Sequence, residues 1–249
     1  MGKADLHVHT ASGDGMAEIP ELLAHVEERT DLSVVAITEH DTLAPALEAR
    51  EAHARGSYRF DLVVGEEVTT IEGHLLALYI EEPVASLKRL APTLEAIHKQ
   101  GGLAVIPHPM SWLTRSLGRR AIERVLAATN DGLSFDAIEI GASPAARQSR
   151  AKAQRLNRER FHLPEVGGSD AHFLEVIGAS HTLFEGSSAA DLRRAIEAGA
   201  TQAGSSPYPS MRQIGLRNVV VQQYRGMMAT PRQMGWLPTI GSFVRRAWS

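Results

Sequence analysis

The chain contains no cysteine. This excludes disulfides, thiolate nucleophiles and thiolate-held zinc or iron–sulfur centres, so any metal must be bound through nitrogen and oxygen. No apolar run approaches the roughly 18 residues of a membrane span, and no basic segment followed by an apolar core opens the chain. A soluble, cytoplasmic protein with no membrane partner is therefore expected. Internal repeats and low-complexity stretches are also missing. Beyond Glu197 there is no Asp or Glu at all, while Arg212, Arg217, Arg225, Arg232, Arg245 and Arg246 follow, so the net charge of −3 divides into a body of −9 and a tail of +6.

What is present is an ordinary globular composition: 249 residues, 43% of them hydrophobic, enough for one α/β domain or two small ones. Short runs of Val, Ile and Leu alternate with helix-like segments, the pattern of a mainly parallel β/α fold. Strands are expected at Ala4–His9, Ser33–Thr38, Asp61–Val68, His74–Ile80, Leu103–Ile106, Ala137–Ile140, Glu165–Gly168 and Ser180–Phe184. Amphipathic helices are expected around Ile19-Leu22-Leu23-Val26, Leu87-Leu90-Leu94-Ile97 and Ser188–Gly199. The main domain is placed at residues 1–200 and a basic C-terminal extension, packed on it, at 201–249. Within the extension the one element expected is a strand at Asn218–Gln222, and Met227, Met228, Trp236, Phe243 and Trp248 are expected to cover the domain's own surface.

The histidines carry the chemistry. ADLHVHTASGDG places His7 and His9 two apart, on one face of the first strand, with Asp14 in the turn that follows. SVVAIT runs into Glu39-His40-Asp41, VVGEEVTT ends with Glu66 and Glu67, and GHLLALYI begins with His74. LAVIPHP ends in His108, and EVGGSDAH delivers Asp170 and His172. Ligands in parallel β/α folds bind where the C-terminal ends of strands converge, so most of these groups should meet. One such histidine would be an ordinary loop residue; six of the eleven, each beside carboxylates, point to a metal site. His25, His53, His98, His162 and His181 lack a neighbouring carboxylate in the sequence and are read as structural or exposed.

In this order DLHVHT, GDG, TEHD, GEEVT, GHLLAL, IPHP and GGSDAH resemble the PHP (polymerase and histidinol phosphatase) family, over about four-fifths of the chain. The resemblance implies a distorted (β/α)7 barrel with a centre of two to three divalent ions, Mn²⁺, Zn²⁺ or Fe²⁺, at the strand ends. It implies His7, His9, Glu67 and Asp170 around one ion, Glu67, His74 and His108 around a second with Glu67 bridging, and Asp14, His40 and His172 around a third. The choice of Glu67 over Glu66 follows the family's Gly-x-Glu spacing from Gly65. The family's usual Ser-Asp-Gly here reads Gly13-Asp14-Gly15, and its usual Thr-Asp-His-Asp reads Thr38-Glu39-His40-Asp41. Asp41 is expected to orient an imidazole.

Bridged ions about 3.5–4 Å apart would bring the pKa of a shared water to about 7 and so supply hydroxide for in-line attack on a phosphate ester. The resemblance thus implies a stand-alone, metal-dependent phosphoesterase. Its leading substrates are phosphomonoesters of nucleotides, a 3′,5′-nucleoside bisphosphate or the 5′ end of a short RNA. Arg115 and Arg147, beyond strand ends, are the arginines placed to hold a phosphate. A nuclease on polymeric DNA or RNA, supported by the basic tail, a histidinol phosphate phosphatase and a non-enzymatic metal-stabilised module remain as alternatives. Short single-stranded nucleic acid is a candidate partner, and the apolar tail residues are an alternative docking surface for a partner or a second subunit.

Overall fold

Strands form where apolar residues run without interruption, because a sheet covered on both faces buries every side chain. A computed structural model of the chain describes residues 1–128, 133–141 and 144–233. Its strands are β1 (Gly2–Val8), β2 (Val34–His40), β3 (Asp61–Thr69), β4 (His74–Leu78), β5 (Leu103–Ile106), β6 (Ala137–Glu139), β7 (Glu165–Val166), β8 (Ser180–Phe184) and β9 (Gln202–Ser205). The helices are α1 (Ile19–Arg29), α2 (Ala44–Arg55), α3 (Leu90–Lys99), α4 (Arg119–Ala127), α5 (Pro144–Arg147), α6 (Arg150–Leu156), α7 (Ala189–Glu197), α8 (Met211–Ile214) and α9 (Leu216–Gln233).

One sheet runs in the order β7-β6-β5-β4-β3-β2-β1-β8-β9. Its ends approach each other: the Thr182 hydroxyl on β8 donates to the Gly167 carbonyl and accepts from the Gly167 amide, both at 2.9 Å. The result is a nearly closed, distorted α/β barrel of the expected class. Inside it, Ala4, Leu6, Val34, Ala36, Val63, Leu76, Leu78, Val105 and Ala137 pack together, with Leu192 and Ile196 of α7 joining them. A second core, including Leu22, Leu23, Ile37, Val64, Leu94 and Ile106, packs the surrounding helices on the outer face.

All eight expected strands are present, with a ninth, β9, on polar residues just past residue 200. The pairing departs from a mainly parallel sheet: β3–β4, β4–β5, β1–β8 and β8–β9 are antiparallel. For β3 and β4 the cause is the short connection, which cannot accommodate a crossover. Thr70 closes that turn by accepting from the Gly73 amide at 3.1 Å, and Gly73 sits at φ +151 where a Cβ would stand 2.7 Å from the Leu117 amide nitrogen.

The strand expected at Asn218–Gln222 is instead part of α9. Val219 packs on the core, Gln222 is buried and Val220 is 63% exposed, a helical rather than an alternating pattern. Packing on the barrel overrides the β-branched preference of Val219-Val220-Val221. Met227, expected to cover the barrel, is 71% exposed; Trp236, Phe243 and Trp248 lie outside the described residues. His98, read as lacking a carboxylate partner, meets Asp136 Oδ2 at 2.9 Å across α3 and the start of β6.

Candidate metal centre

The register explains how distant motifs meet. On β2 and β3 the inward series Val34, Ala36 and Val63 continues in step to His40 and Glu67. β4 runs antiparallel, so its first residue, His74, lies at the same end, paired with Thr69. On β1 the facing inverts: Leu6 belongs to the inner core and Val8 to the outer one, across a register irregularity between Asp5 and Val8. A bulge of this kind re-aims the side chains beyond it, here His7 and His9. The loop after β7 is laced to β1 by His9 N donating to Ala171 O at 2.9 Å and Ala171 N donating to His7 O at 3.1 Å. Buried Asp5 anchors the same loop, accepting from Ser169 N at 2.9 Å and Gly178 N at 2.7 Å, and burial pushes its carboxyl up to about 6 despite these bonds.

Four groups of donor atoms result, each within 4.8 Å: His9, Asp14, His40 and His172; His7, His9 and Asp170; His7, Glu67 and His108; His40, Glu67 and His74. Glu67 is the hub. Its Oε1 lies 2.7 Å from His74 Nδ1 and 3.0 Å from His108 Nε2, and its Oε2 lies 3.2 Å from His7 Nε2, 3.4 Å from His9 Nε2 and 3.2 Å from His40 Nδ1. Asp170 Oδ1 faces His7 and His9 Nε2 at 3.5 and 3.4 Å, and Asp14 Oδ2 faces His172 and His40 Nε2 at 3.0 and 3.7 Å. His9 and His40 each belong to two of the groups, so the divisions between the three expected ligand sets are shared edges. Glu66 points outward, accepting from the Val84 amide at 2.5 Å; burial pushes its carboxyl up to about 7.

Burial alone would neutralise these carboxylates, yet the imidazoles of His74, His40 and His7 hold Glu67 well below its ordinary range, and those of His7 and His9 do the same for Asp170. Reciprocally, burial opposes protonation of His7, His9, His108 and His172, but the carboxylates prevail and their values are raised. His74 goes the other way, lowered by burial against the pull of Glu67. Among the described residues, His9 Nε2, His40 Nδ1 and His74 Nδ1 are buried without an aligned hydrogen bond although Glu67 oxygens lie within ion-pair distance, and Asp14 Oδ1 is likewise unaligned, 3.5 Å from His9 Nδ1. Nitrogen and oxygen donors crowded together but misaligned with one another fit divalent cations placed between them.

Each imidazole of the inner set is held from behind. His7 Nδ1 meets Glu139 Oε2 at 3.0 Å, His9 Nδ1 meets Glu39 Oε1 at 3.2 Å and His108 Nδ1 meets Ser116 Oγ at 2.8 Å, which directs all three Nε2 atoms at the cluster. The expectation for Asp41 is corrected accordingly: Glu39 and Glu139 orient imidazoles, while the Asp41 carboxylate accepts from Thr69 N, Thr69 Oγ1 and Ser86 Oγ, each at 2.7 Å. Glu139 was missed in the sequence, where a carboxylate in the middle of the apolar AIEI was the available signal. Gly141 and Gly168 cradle it; a Cβ on either would stand 2.6 and 3.1 Å from its oxygens.

The departures at Gly13 and Glu39 meet in space: a Cβ on Gly13 would overlap the Glu39 carboxylate. Glu39 Oε2 also accepts from Thr10 N at 2.9 Å and Thr10 Oγ1 at 3.0 Å. His108 and Asp170 take positive φ values, +28 and +54, strain that clusters at the centre. Arg115 is exposed, its carbonyl accepting from His74 N at 2.7 Å and its guanidinium 3.4 Å from Thr70 O. Arg147 is exposed at the end of α5. Trp112, in the same loop as Arg115, is 73% exposed, its indole N–H donating to Gln148 Oε1, next in sequence to Arg147, at 2.7 Å.

The PHP-associated family model matches residues 148–201. An uncharacterized protein of Methanocaldococcus jannaschii is 33% identical over 150 residues, 55% of this chain and 80% of that protein. A 5′-3′ exoribonuclease of Escherichia coli is 37% identical over 81 residues, 31% of this chain but 27% of the enzyme's length. In fold, the chain is similar to a two-domain protein from Bacteroides vulgatus containing a predicted PHP-like metal-dependent phosphoesterase. The TM-score is 0.62 at 19% identity, covering 82% of this chain and 64% of that one. With the ordered motifs, the barrel and these relatives together, the chain belongs to the PHP domain family.

Proposed function

We propose that the chain is a metal-dependent phosphoesterase in which His7, His9, Asp14, His40, Glu67, His74, His108, Asp170 and His172 hold two to three divalent ions. The observation that carries this reading is the crowding of nine nitrogen- and oxygen-donor residues, Glu67 among them as the hub, with buried donor atoms left unaligned. Bound ions would supply Lewis acidity to phosphate oxygens and a water acidic enough to act as nucleophile near neutral pH. The chain's own part is to fix ligand geometry through Glu39, Glu139 and Ser116 and to exclude bulk water from the buried imidazoles. Arg115 and Arg147 remain the candidates for phosphate contact at the outer rim.

Nucleotide phosphomonoesters, such as a 3′,5′-nucleoside bisphosphate or a short RNA 5′ end, are the favoured substrates. The exposed indole of Trp112, in the loop that carries His108, offers a face on which a base can stack. The local likeness to an exoribonuclease supports a second reading, stepwise cleavage of RNA. Protein purified without chelator is expected to carry about two to three equivalents of divalent metal and, with added Mn²⁺, to release phosphate from a 3′,5′-bisphosphonucleoside. No release across a panel of phosphomonoesters would overturn the reading, and mononucleotide release from 5′-phosphorylated RNA would favour the second.

A further inference from the structure

The basic extension reaches the centre through one face of α9. Gln222, 8% exposed, places Nε2 3.4 Å from Asp14 Oδ2, the oxygen that His172 Nε2 meets at 3.0 Å. One turn on, Arg225 donates from a guanidinium nitrogen to Gly15 O at 2.7 Å. The next residue, Gly226, also faces the centre closely: a Cβ there would stand 3.0 Å from Asp14 Oδ2. Glycine inside a helix costs about 1 kcal/mol relative to alanine, so its position at this contact is what lets the backbone approach. Tyr208, ahead of α8, packs against the outer core, and burial together with the charge of Asp170 pushes its phenol up.

Arg225 is partly buried beside the turn that presents Asp14, yet among the described residues it forms no ion pair with Asp14 or any other carboxylate. Its contact uses one of five N–H donors, on a neutral carbonyl. A guanidinium pinned in this way keeps its charge and loses little freedom when an anion arrives.

We propose that α9 forms a wall of the substrate mouth and that Arg225 binds a phosphate oxygen of the substrate, with Gln222 a positioning residue for Asp14. The α9 part of the basic extension then belongs to the active site, and Arg225 does not act merely as one charge of a dispersed nucleic-acid tail. This rests on the phosphoesterase reading. The test compares full-length wild type with Arg225→Ala and Arg225→Lys, each loaded with Mn²⁺. It reads binding of inorganic phosphate by calorimetry, KM and kcat on the best phosphomonoester, and metal content. Both variants are expected to weaken phosphate binding and raise KM roughly tenfold, with kcat changed less and metal content kept. Lysine, lacking the planar fork, should fail to restore either. Full restoration by Arg225→Lys, or unchanged phosphate affinity in Arg225→Ala, would reduce Arg225 to a latch on the Gly15 turn and overturn the inference. A wild type that binds phosphate through Arg225 but hydrolyses no phosphomonoester would overturn the phosphoesterase reading alone.

Discussion

Gly13 has no Cβ, and the space one would occupy holds the carboxylate of Glu39, which braces His9 Nδ1 and the Thr10 amide and hydroxyl. Each residue looked like an isolated departure from the family's motifs, one losing a hydroxyl and the other gaining a methylene. Together they are a volume exchange, small where the neighbour is long. Gly13→Ala should therefore displace Glu39 and destabilise the protein by about 1–3 kcal/mol, the usual range for overpacking. Glu39→Asp in the same chain should recover part of that loss. A double-mutant cycle on urea denaturation checks this, and strict additivity of the two changes would show that the residues do not share the space. Glu139 and Asp5 were not read as site residues because a carboxylate inside an apolar run gives no hint of its partner. Their roles come from Gly141, Gly168 and Ser169, which are distant in sequence from one or both.

The inner strands could be read from their apolar runs, and the meeting of the nine candidate donors could be read from their places at strand ends. The facing of β1 could not. Alternation through Ala4, Leu6 and Val8 assigns all three to one face, whereas the bulge hands Val8 to the outer core and turns His7 and His9 inward. β9 escaped because Gln202–Ser205 is polar and forms a strand only by pairing with β8. α9 escaped because three valines in a row favour a strand, and only the barrel surface reveals the face made by Val219, Gln222 and Gly226. That face sets an expectation for Gly226→Ala. In a free helix the change would stabilise by about 1 kcal/mol; here the new methyl stands 3.0 Å from Asp14 Oδ2. The gain should be absent or reversed in denaturant titration, with a weakened third donor group visible as lower metal occupancy. A full gain with unchanged metal content would mean that α9 does not press on Asp14.

Across the whole barrel, the centre draws on the ends of β1, β2 and β3, the start of β4 and the segments after β5 and β7, so its electrostatics belong to the fold and not to any one motif. Without metal, the raised values of His7, His9, His108 and His172 mean that protons hold the carboxylates and imidazoles together. That stabilisation is complete below the ordinary histidine value of 6.5 and is lost as pH rises through the raised values. Divalent ions take the place of those protons and bind more strongly over the same interval, because competition for the ligands falls. The depressed values of Glu67 and Asp170 act only at the acid end, where their contribution is lost as pH falls below the ordinary carboxylate range. Chelation should therefore lower the Tm by more at about pH 8.5 than at about pH 6. At a hundredfold excess of free metal over Kd, the stability at stake is about 2.7 kcal/mol per ion. Thermal melts with and without chelator at both pH values measure the gap. A gap that stays constant or narrows as pH rises would mean that the clustered histidines do not exchange protons for metal.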